Sequence, residues 1–323
     1  MKGSYRVIVS NSNVRYDFVI RRNITIIRGD SATGKTTLVE MIGEFYETGA
    51  DSGINLKCDR PCRTIGGKDW KTLLSLLHET IVFIDEGNAF LHSTEFAEAV
   101  RDSDNYYVLV TREGLPNLPY SVEEIYGIRY SGKYAGLKQV FNEFYHIYGR
   151  FDHRVSVHLT RILIEDSNSG FEFFEGLSAG KDYDVVSAGG KSNIFARAWQ
   201  YADTGVLIIA DGAAFGSEMD RITKLLQQKP NIILYLPESF EWLILKSGVV
   251  KAEGLNDILD APENYIESSR YFSWERFFTA FLVEATLGSH LKYSKKRLNP
   301  VYLHENTASK IVAVMDGLMD FMQ

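Results

Sequence analysis

The stretch GDSATGKTTL (residues 29–38) decides how the first half of the chain is interpreted. The β-branched run NITIIR (residues 23–28) precedes it, and VEMIGEFYE (residues 39–47), with apolar residues at helical spacing, follows it. When a strand breaks into glycines and then opens a helix, successive backbone N–H groups can point inward at a phosphate. The helix N-terminus adds a favourable dipole. The stretch therefore predicts a phosphate-binding loop between a strand and a helix.

The spacing within this stretch assigns a role to each residue. The pattern GxxxxGK[ST] has four defined positions, which are filled by Gly29, Gly34, Lys35 and Thr36. We expect Lys35 to reach the β and γ phosphates of a nucleotide, the Thr36 hydroxyl to bind Mg²⁺, and Thr37 to contact the α phosphate. The alternative is a glycine turn with a chance Lys-Thr pair. The predicted nucleotide-binding residues are Gly29, Asp30, Ser31, Ala32, Thr33, Gly34, Lys35, Thr36 and Thr37.

A second element, IVFIDEGNAF (residues 81–90), is a continuous apolar run that leads into two acids. Such a run is typical of a buried parallel strand whose carboxyl end faces a ligand site. We expect Asp85 to hold Mg²⁺, directly or through water, and Glu86 to position or activate the attacking water. Taken alone, an apolar run followed by two acids is common and mostly structural. Together with the loop upstream, the two acids favour hydrolysis by water over the phosphoryl transfer of a small-molecule kinase.

A third strand is predicted from NYYVLVTRE (residues 105–113), which ends in Thr111 and Arg112. Arg112 is a candidate sensor of the γ phosphate, with two alternatives: it acts on a neighbouring subunit, or it is an ordinary surface arginine. The following LPNLPYSVEEIYGIRY (residues 115–130) contains two prolines and then a strand-like segment. We expect this segment to wrap the edge of the sheet.

Over about residues 5–130 these motifs resemble those of the P-loop ATPases. GDSATGKT is similar to the Walker A motif and IVFIDE to the Walker B motif. The phrase IRGDSATGKTTL also looks like the start of an ABC-type ATPase, but the interval between Lys35 and Asp85 holds no LSGGQ-like signature. The resemblance implies ATP with Mg²⁺ as the ligand and Lys35, Glu86 and Arg112 as catalytic residues. The absence of an NKxD-like guanine-reading motif also favours ATP over GTP.

Beyond the polar, turn-rich residues 148–160, strand-like and helical segments alternate. The strand-like segments are RILIED (161–166), DYDVVSAGG (182–190), GVLIIADG (205–212) and NIILYLPES (231–239). This alternation predicts βαβ units and a parallel sheet. We therefore expect the α/β fold class: a P-loop domain in residues 1–150, a second parallel-sheet α/β domain in residues 155–245, and a mainly helical C-terminal extension in residues 246–323.

Acidic residues stand at the ends of three of the four predicted strands: Glu165 and Asp166 at the first, Asp211 at the third, and Glu238 at the fourth, with Glu241 one turn further on. Carboxyl ends of parallel strands face one edge of a sheet, which is where ligands bind. Carboxylates clustered there can hold Mg²⁺ or Mn²⁺ and activate a water against a phosphodiester. The alternative is that these acids stabilise the N-termini of the helices that follow.

Over about residues 160–245 this order of features resembles a Toprim domain: Glu after the first strand, a glycine-rich turn after the second, Asp after the third and acids after the fourth. An ATPase upstream of a Toprim domain is the arrangement of the OLD-type nucleases. The resemblance implies a domain that binds metal through Glu165, Asp211 and Glu238 and acts on nucleic acid under control of the ATP cycle, in antiviral defence or a mobile element. Toprim domains carry a second Asp where this chain has Ala213. The alternative is therefore an ATPase sensor or scaffold whose second domain binds a protein or nucleic acid without cleaving it.

Composition and charge restrict the remaining classes. The chain has 323 residues, of which 45% are hydrophobic and 24% charged, as is typical of a folded globular protein. Its net charge of −7 argues against coating nucleic acid through bulk charge. KYSKKR (residues 292–297) is a candidate local basic patch, with a solvated surface segment as the alternative. The two C-terminal helical segments carry apolar stripes that favour core packing or, next, a homo-oligomer or protein-partner interface.

The two cysteines and the lack of membrane signals indicate a compartment. Cys58 and Cys62, in CDRPC, lack a nearby Cys or His pair that would complete a zinc site. Two reduced thiols fit the cytoplasm. No signal-peptide pattern or membrane-spanning run is present in the sequence. We therefore expect a cytoplasmic protein with no membrane partner.

Overall fold

The computed structural model describes residues 1–30, 33–132, 139–149, 157–315 and 318. The chain divides into two compact units. The first consists of Met1–Gly149 and Ala261–Ser273, and the second of Arg150–Asp260 and Trp274–Gln323. Each unit combines helices with its own β-sheet, which confirms the α/β class.

The first unit consists of a large sheet and a few helices. Its described strands are β1 (Tyr5–Ser10), β2 (Val14–Ile20), β3 (Ile24–Arg28), β4 (Asn55–Lys57), β5 (Cys62–Thr64), β6 (Ile81–Ile84), β7 (Tyr106–Val110), β8 (Ile125–Tyr130) and β9 (Val140–His146). Its described α-helices are α1 (Lys35–Thr48), α2 (Trp70–Ser75) and α3 (Thr94–Arg101).

These strands form one sheet in the order β4-β1-β2-β9-β8-β3-β7-β6-β5. The five strands from β8 to β5 run parallel to their neighbours within this group, whereas β1 pairs antiparallel with β2 and β4. Strands β5, β6 and β7, which come after β3 in the chain, lie on one side of β3 in the sheet. The strand after β7, β8, lies on the other side of β3. Neighbouring strands β3 and β7 thus form a point where the strand order reverses, and ligands of parallel sheets bind outside the carboxyl ends at such points.

The sheet curls around α1. Strand β4 at one edge and β5 at the other are joined only by residues 58–61, so the chain keeps these edges within about 18 Å of each other. Leu38 and Ile42 of α1 are fully buried in one core with Phe18 of β2 and Phe83 of β6. Each such burial contributes about 1.5–3 kcal/mol, which fixes α1 and the loop before it against the sheet.

The expectation that residues 115–130 wrap the edge of the sheet was wrong for their strand-like part, residues 125–130. The segment forms β8, which lies inside the sheet between β9 and β3. The reason is that β3 is buried along its whole length, so a strand is needed on both of its sides to pair its backbone groups.

The second unit contains the predicted parallel sheet. Its described strands are β10 (Leu159–Ile164), β11 (Asp184–Ser187), β12 (Gly205–Ile209) and β13 (Ile232–Tyr235), in the order β11-β10-β12-β13. All three pairings are parallel. Its described α-helices are α4 (Ser169–Leu177), α5 (Lys191–Gln200), α6 (Met219–Gln228), α7 (Phe240–Lys246), α8 (Leu255–Asp260), α9 (Trp274–Ala285) and α10 (Glu305–Ala313). The strand order reverses between β10 and β12, so Glu165 and Asp211 follow the two strands at this point.

Residues 246–323 do not form one separate extension. Residues 261–273 belong to the first unit, where the Glu263 carbonyl accepts the Gly3 N–H at 2.6 Å, and the remainder belongs to the second unit. Among the described residues, no helix is long and apolar enough to cross a membrane.

Candidate functional site

Described residues on both sides of the loop between β3 and α1 contact the side chain of Lys35. The Lys35 ammonium donates to the carbonyl oxygens of Gly29 at 2.8 Å and Asp30 at 2.5 Å, and to Thr33 Oγ1 at 3.1 Å. Lys35 is 5% exposed, although its side chain ends at a loop and not in the core. These contacts place a cation inside the curve of the loop, where a phosphate-binding lysine is expected.

Gly34 is held in a conformation that a larger residue would resist. Its φ is +88°, in the left-handed region, and a Cβ built on it would lie 2.6 Å from Tyr16 Oη. The Tyr16 hydroxyl donates to the Gly34 carbonyl at 2.8 Å, and Asn142 donates to the Tyr16 hydroxyl. Sequence reasoning missed Tyr16 and Asn142, because β2 and β9 are distant from the loop along the chain and no local motif marks their contact.

The acids after β6 lie at the same edge of the sheet as this loop. The Asp85 carboxylate accepts the Glu86 N–H at 2.8 Å, and the Asn88 side chain donates to the Asp85 carbonyl at 2.9 Å. Glu86 forms a bidentate ion pair with Arg112, which follows β7. Arg112 Nη2 donates to Glu86 Oε1 at 2.7 Å, and Arg112 Nε donates to Glu86 Oε2 at 3.0 Å. The hydrogen bonds and charge of Arg112 lower the pKa of Glu86, and the charge of Lys35 adds to this effect.

A cavity of about 620 Å³ adjoins Glu86 and Arg112. Its lining also includes Thr111, whose hydroxyl donates to the Glu113 carbonyl at 2.8 Å. The predicted catalytic residues Glu86 and Arg112 therefore share one solvent-accessible space at the end of neighbouring strands.

The residues of this edge fit a nucleotide with Mg²⁺. Gly34 brings the backbone close to the Tyr16 hydroxyl, where a Cβ would clash, and the buried Lys35 ammonium lies against the backbone carbonyls of Gly29 and Asp30. Thr36 and Thr37 are exposed at the start of α1, so their hydroxyls are accessible to ligands. Thr36 and Asp85 carry the oxygen atoms that Mg²⁺ prefers. Ser31 and Ala32 lie outside the described residues.

In the second unit, Glu165 and Asp211 are in direct contact. The backbone N–H of Asp211 donates to Glu165 Oε2 at 3.0 Å. Burial raises the pKa of Glu165 to about 7, against the effect of this hydrogen bond, and the charge of Glu275 raises it further. Burial and then repulsion by Glu275, Glu165 and Glu241 raise the pKa of Asp211 well above its usual range.

These two acids border a small cavity of about 30 Å³, whose lining also includes Glu241 and Lys295. Glu238, the third predicted ligand, is absent from this lining among the described residues, and its backbone carbonyl accepts the Ala213 N–H at 3.3 Å. The sequence assigned the fourth-strand acid to Glu238, whereas the structure brings Glu241 to the cavity. The signal was present, because Ser239 caps α7 and so fixes Glu241 in its first turn.

A lysine neutralises this acidic cluster from within. Lys295 Nζ forms a short ion pair with Glu275 and lies 3.9 Å from Glu241 Oε1. Burial opposes the charge of Lys295, but the carboxylates of Glu241, Glu275 and Asp211 raise its pKa. Tyr293 donates to Glu241 Oε1 at 2.7 Å and is itself 2.6 Å from the Ser169 hydroxyl. Two residues of the candidate basic patch, residues 292–297, thus face the interior of the second unit.

The residues of this cluster do not fit a divalent metal ion in the arrangement observed. Among the described residues, no group of three or more His, Cys, Asp or Glu side chains is placed to hold one. Glu165 accepts a backbone N–H, and Lys295 supplies a positive charge to the other acids. No step of chemistry is therefore assigned to a metal in the second unit.

In comparisons with known proteins, the chain matches no protein-family model, and no curated protein matches it significantly.

Proposed function

We propose that the first unit binds and hydrolyses ATP. The observation that carries this proposal is the buried Lys35 ammonium inside the loop between β3 and α1, at the sheet edge that also bears Asp85, Glu86 and Arg112. A helix N-terminus, a glycine-rich curve and a lysine together form an anion site that suits a polyphosphate. The resemblance of residues 29–38 and 81–86 to the P-loop ATPases supports the same assignment.

The roles of the side chains follow from their positions. Lys35 and the backbone N–H groups of the loop hold the phosphates, and Thr36 and Asp85 hold Mg²⁺, which neutralises phosphate charge when bound. Glu86 orients the attacking water. The ion pair with Arg112 lowers the pKa of Glu86 and so makes its carboxylate a weak base. Arg112 must therefore leave Glu86 and pair with a phosphate oxygen before Glu86 can take a proton from the water.

Paired substitutions test this function. We expect Lys35→Ala to abolish binding of a fluorescent ATP analogue, and Glu86→Gln to retain binding but lower phosphate release by about 10²–10⁴-fold. Matched controls are Lys71→Ala, at an exposed lysine of the same unit, and Glu79→Gln, whose carboxylate pairs with Arg60 at 2.6 Å. ATP turnover that survives Lys35→Ala would refute the proposal.

For the second unit we propose a nucleic-acid-binding role without cleavage, so that the protein is an ATPase sensor. The observation that favours this over nuclease activity is the internal cation Lys295 in the acidic cluster, together with Ala213 in place of the second Toprim aspartate. An acidic cluster that already contains its own positive charge attracts Mg²⁺ or Mn²⁺ weakly.

An aromatic and basic face on α5 and α6 supports the nucleic-acid partner. Trp199 is 52% exposed and stacks loosely with Phe195, their ring centroids 6.3 Å apart. The Arg221 guanidinium lies 4.5 Å from the Phe195 ring centre, and Lys229 lies 5.9 Å from that of Trp199 and 3.0 Å from Asp203. Exposed aromatic rings between cations are a stacking platform for the bases of single strands.

Two assays on the full chain test this role. Fluorescence anisotropy with labelled single-stranded DNA and RNA, with and without ATP, measures binding, and plasmid nicking with Mg²⁺ or Mn²⁺ measures cleavage. We expect Trp199→Ala to weaken binding about 5- to 150-fold, Trp199→Phe to retain most of it, and Leu287→Ala, at another exposed apolar residue, to leave it unchanged. Metal-dependent cutting that Glu165→Ala removes would establish the nuclease instead.

A further inference from the structure

The loop between β4 and β5 closes the curled sheet of the first unit, and the two cysteines of the chain lie in this loop and at the first residue of β5. We call residues 57–62 the seam. Cys58 directly follows β4 at one edge of the sheet, and Cys62 begins β5 at the other. A covalent bond between these two residues would therefore tie together two edges that backbone hydrogen bonds do not join.

The two thiols are in contact but differ in their surroundings. Both are free thiols; Cys62 is 6% exposed, and its Sγ lies 3.7 Å from the Arg60 carbonyl oxygen, whereas Cys58 is partly exposed. The Cys62 thiol donates to the Arg60 carbonyl, and the Cys58 sulfur is hydrogen-bonded to the Cys62 side chain and to the backbone of Asp59 and Arg60. These bonds lower the pKa of Cys58 against the opposing effects of burial and the Asp59 charge.

Small reagents can reach this pair. Both cysteines line a cavity of about 690 Å³, whose rim also carries Arg60, Arg63 and His78. Arg63 is stacked on the Tyr46 ring at 3.2 Å from its centre. Because the thiolate is the nucleophilic form of cysteine, the partly exposed Cys58, whose sulfur accepts hydrogen bonds, is the more reactive of the two.

We propose that Cys58 and Cys62 are a reversible redox site, at which a peroxide converts the two thiols into a disulfide across the seam. The Cys58 thiolate attacks one peroxide oxygen, the O–O bond breaks, and the departing hydroxide takes up a proton to leave as water. The resulting Cys58 sulfenic acid is attacked by the Cys62 sulfur, the S–O bond breaks, and the departing hydroxide takes the Cys62 proton. Two thiols and one hydrogen peroxide thus yield one disulfide and two waters.

The reduced and oxidised forms differ in how tightly the sheet is closed around α1. Helix α1 packs against β5, and Phe45 near its C-terminal end borders the cavity beside the cysteines. A disulfide restricts the unfolded chain and holds the β4 and β5 edges in place in the folded state. The oxidised form should therefore unfold at a higher temperature than the reduced form.

The test uses the full chain and hydrogen peroxide. After treatment, intact mass spectrometry should show the loss of two hydrogen atoms, maleimide should label neither cysteine, and dithiothreitol should restore both thiols. Cys62→Ser should instead accumulate a Cys58 sulfenic acid that dimedone traps. In Cys58→Ser, the remaining Cys62 should be oxidised by peroxide, and then trapped by dimedone, more slowly than Cys58 is in Cys62→Ser. The rise in thermal midpoint should be absent from both variants.

Outcomes that overturn the proposal are equally defined. Two free thiols after peroxide concentrations that oxidise glutathione would refute it, as would disulfides formed only between chains. If either serine variant fails to fold, limited alkylation of the wild-type chain decides the order of reactivity. Cys58 should be labelled at least ten-fold faster than Cys62, and equal rates would contradict the assigned roles.

Discussion

At the scale of single residues, Gly34 links the geometry of the loop to its function. Its positive φ and the 2.6 Å approach of a built Cβ to Tyr16 Oη are two separate obstacles to any other residue. The first is a property of the backbone, and the second depends on one hydroxyl group. The two contributions can therefore be separated by mutating Gly34 and Tyr16 together.

We expect Gly34→Ala to destabilise the first unit by about 2 kcal/mol, because a non-glycine residue at positive φ costs about 1–3 kcal/mol. ATP binding should fall with it, since the loop must shift. In a Tyr16→Phe background the same substitution should cost less, because the clashing oxygen is gone, while the backbone strain remains. Urea denaturation of the four proteins measures this, and an equal cost in both backgrounds would contradict the clash.

Glu165 makes the stability of the second unit depend on pH. Its pKa is raised from 4.5 to about 7, so the folded state binds a proton more tightly than the unfolded chain does. This contribution to stability is complete below pH 4.5 and is lost as the pH rises through about 7. At about 1.4 kcal/mol per pKa unit, the wild type should lose up to about 3 kcal/mol relative to Glu165→Gln over this interval.

The measurement is the free energy of unfolding of both proteins at several pH values between 4.5 and 7.5. Glu253→Gln, at an exposed glutamate of the same unit, is the control and should follow the wild type. A constant difference between wild type and Glu165→Gln across this range would show that Glu165 does not titrate as described.

At the scale of elements, the sequence located those site residues that follow strands. Alternating strands and helices place the carboxyl ends of parallel strands at one edge, so Asp85, Glu86, Glu165 and Asp211 could be expected to lie at ligand sites. Residues recruited from distant segments could not be found in this way. Tyr16 reaches the loop from β2, and Lys295 comes from a turn-rich segment after α9 whose basic composition suggested a solvated surface.

This segment after α9 is a structural part of the acidic cluster. Lys295→Met should destabilise the second unit by about 3 kcal/mol, because Glu241 is 1% exposed and would lose a cationic partner. Adding Glu241→Gln should recover part of the loss, since the remaining charge is then removed. Lys296→Met, one residue further along, is the matched control. The measurement is the urea midpoint of unfolding of each protein. If Lys295→Met and Lys296→Met have the same midpoint, the role assigned to Lys295 is wrong.

At the scale of the whole molecule, the chain returns to its first unit after most of the second has been built. Residues 261–273 belong to the first unit, to which they contribute a buried Ile266 and the Phe272 carbonyl that accepts from the Asn23 side chain at 3.0 Å. Local patterns could not reveal this, because a short segment without helical or strand periodicity carries no information on which unit it joins.

The first unit should therefore be incomplete without this short segment. A fragment of residues 1–149 should unfold at a lower urea concentration than the first unit in the full chain, because it lacks the apolar burial and backbone hydrogen bonds of residues 261–273. A synthetic peptide of residues 261–273 should bind the fragment and raise its urea midpoint. The same peptide with Ile266→Asp should not, because Ile266 is 4% exposed and a carboxylate cannot be buried there without a partner. If both peptides leave the midpoint unchanged, residues 1–149 fold as a unit of their own, and the return of the chain adds no stability to them.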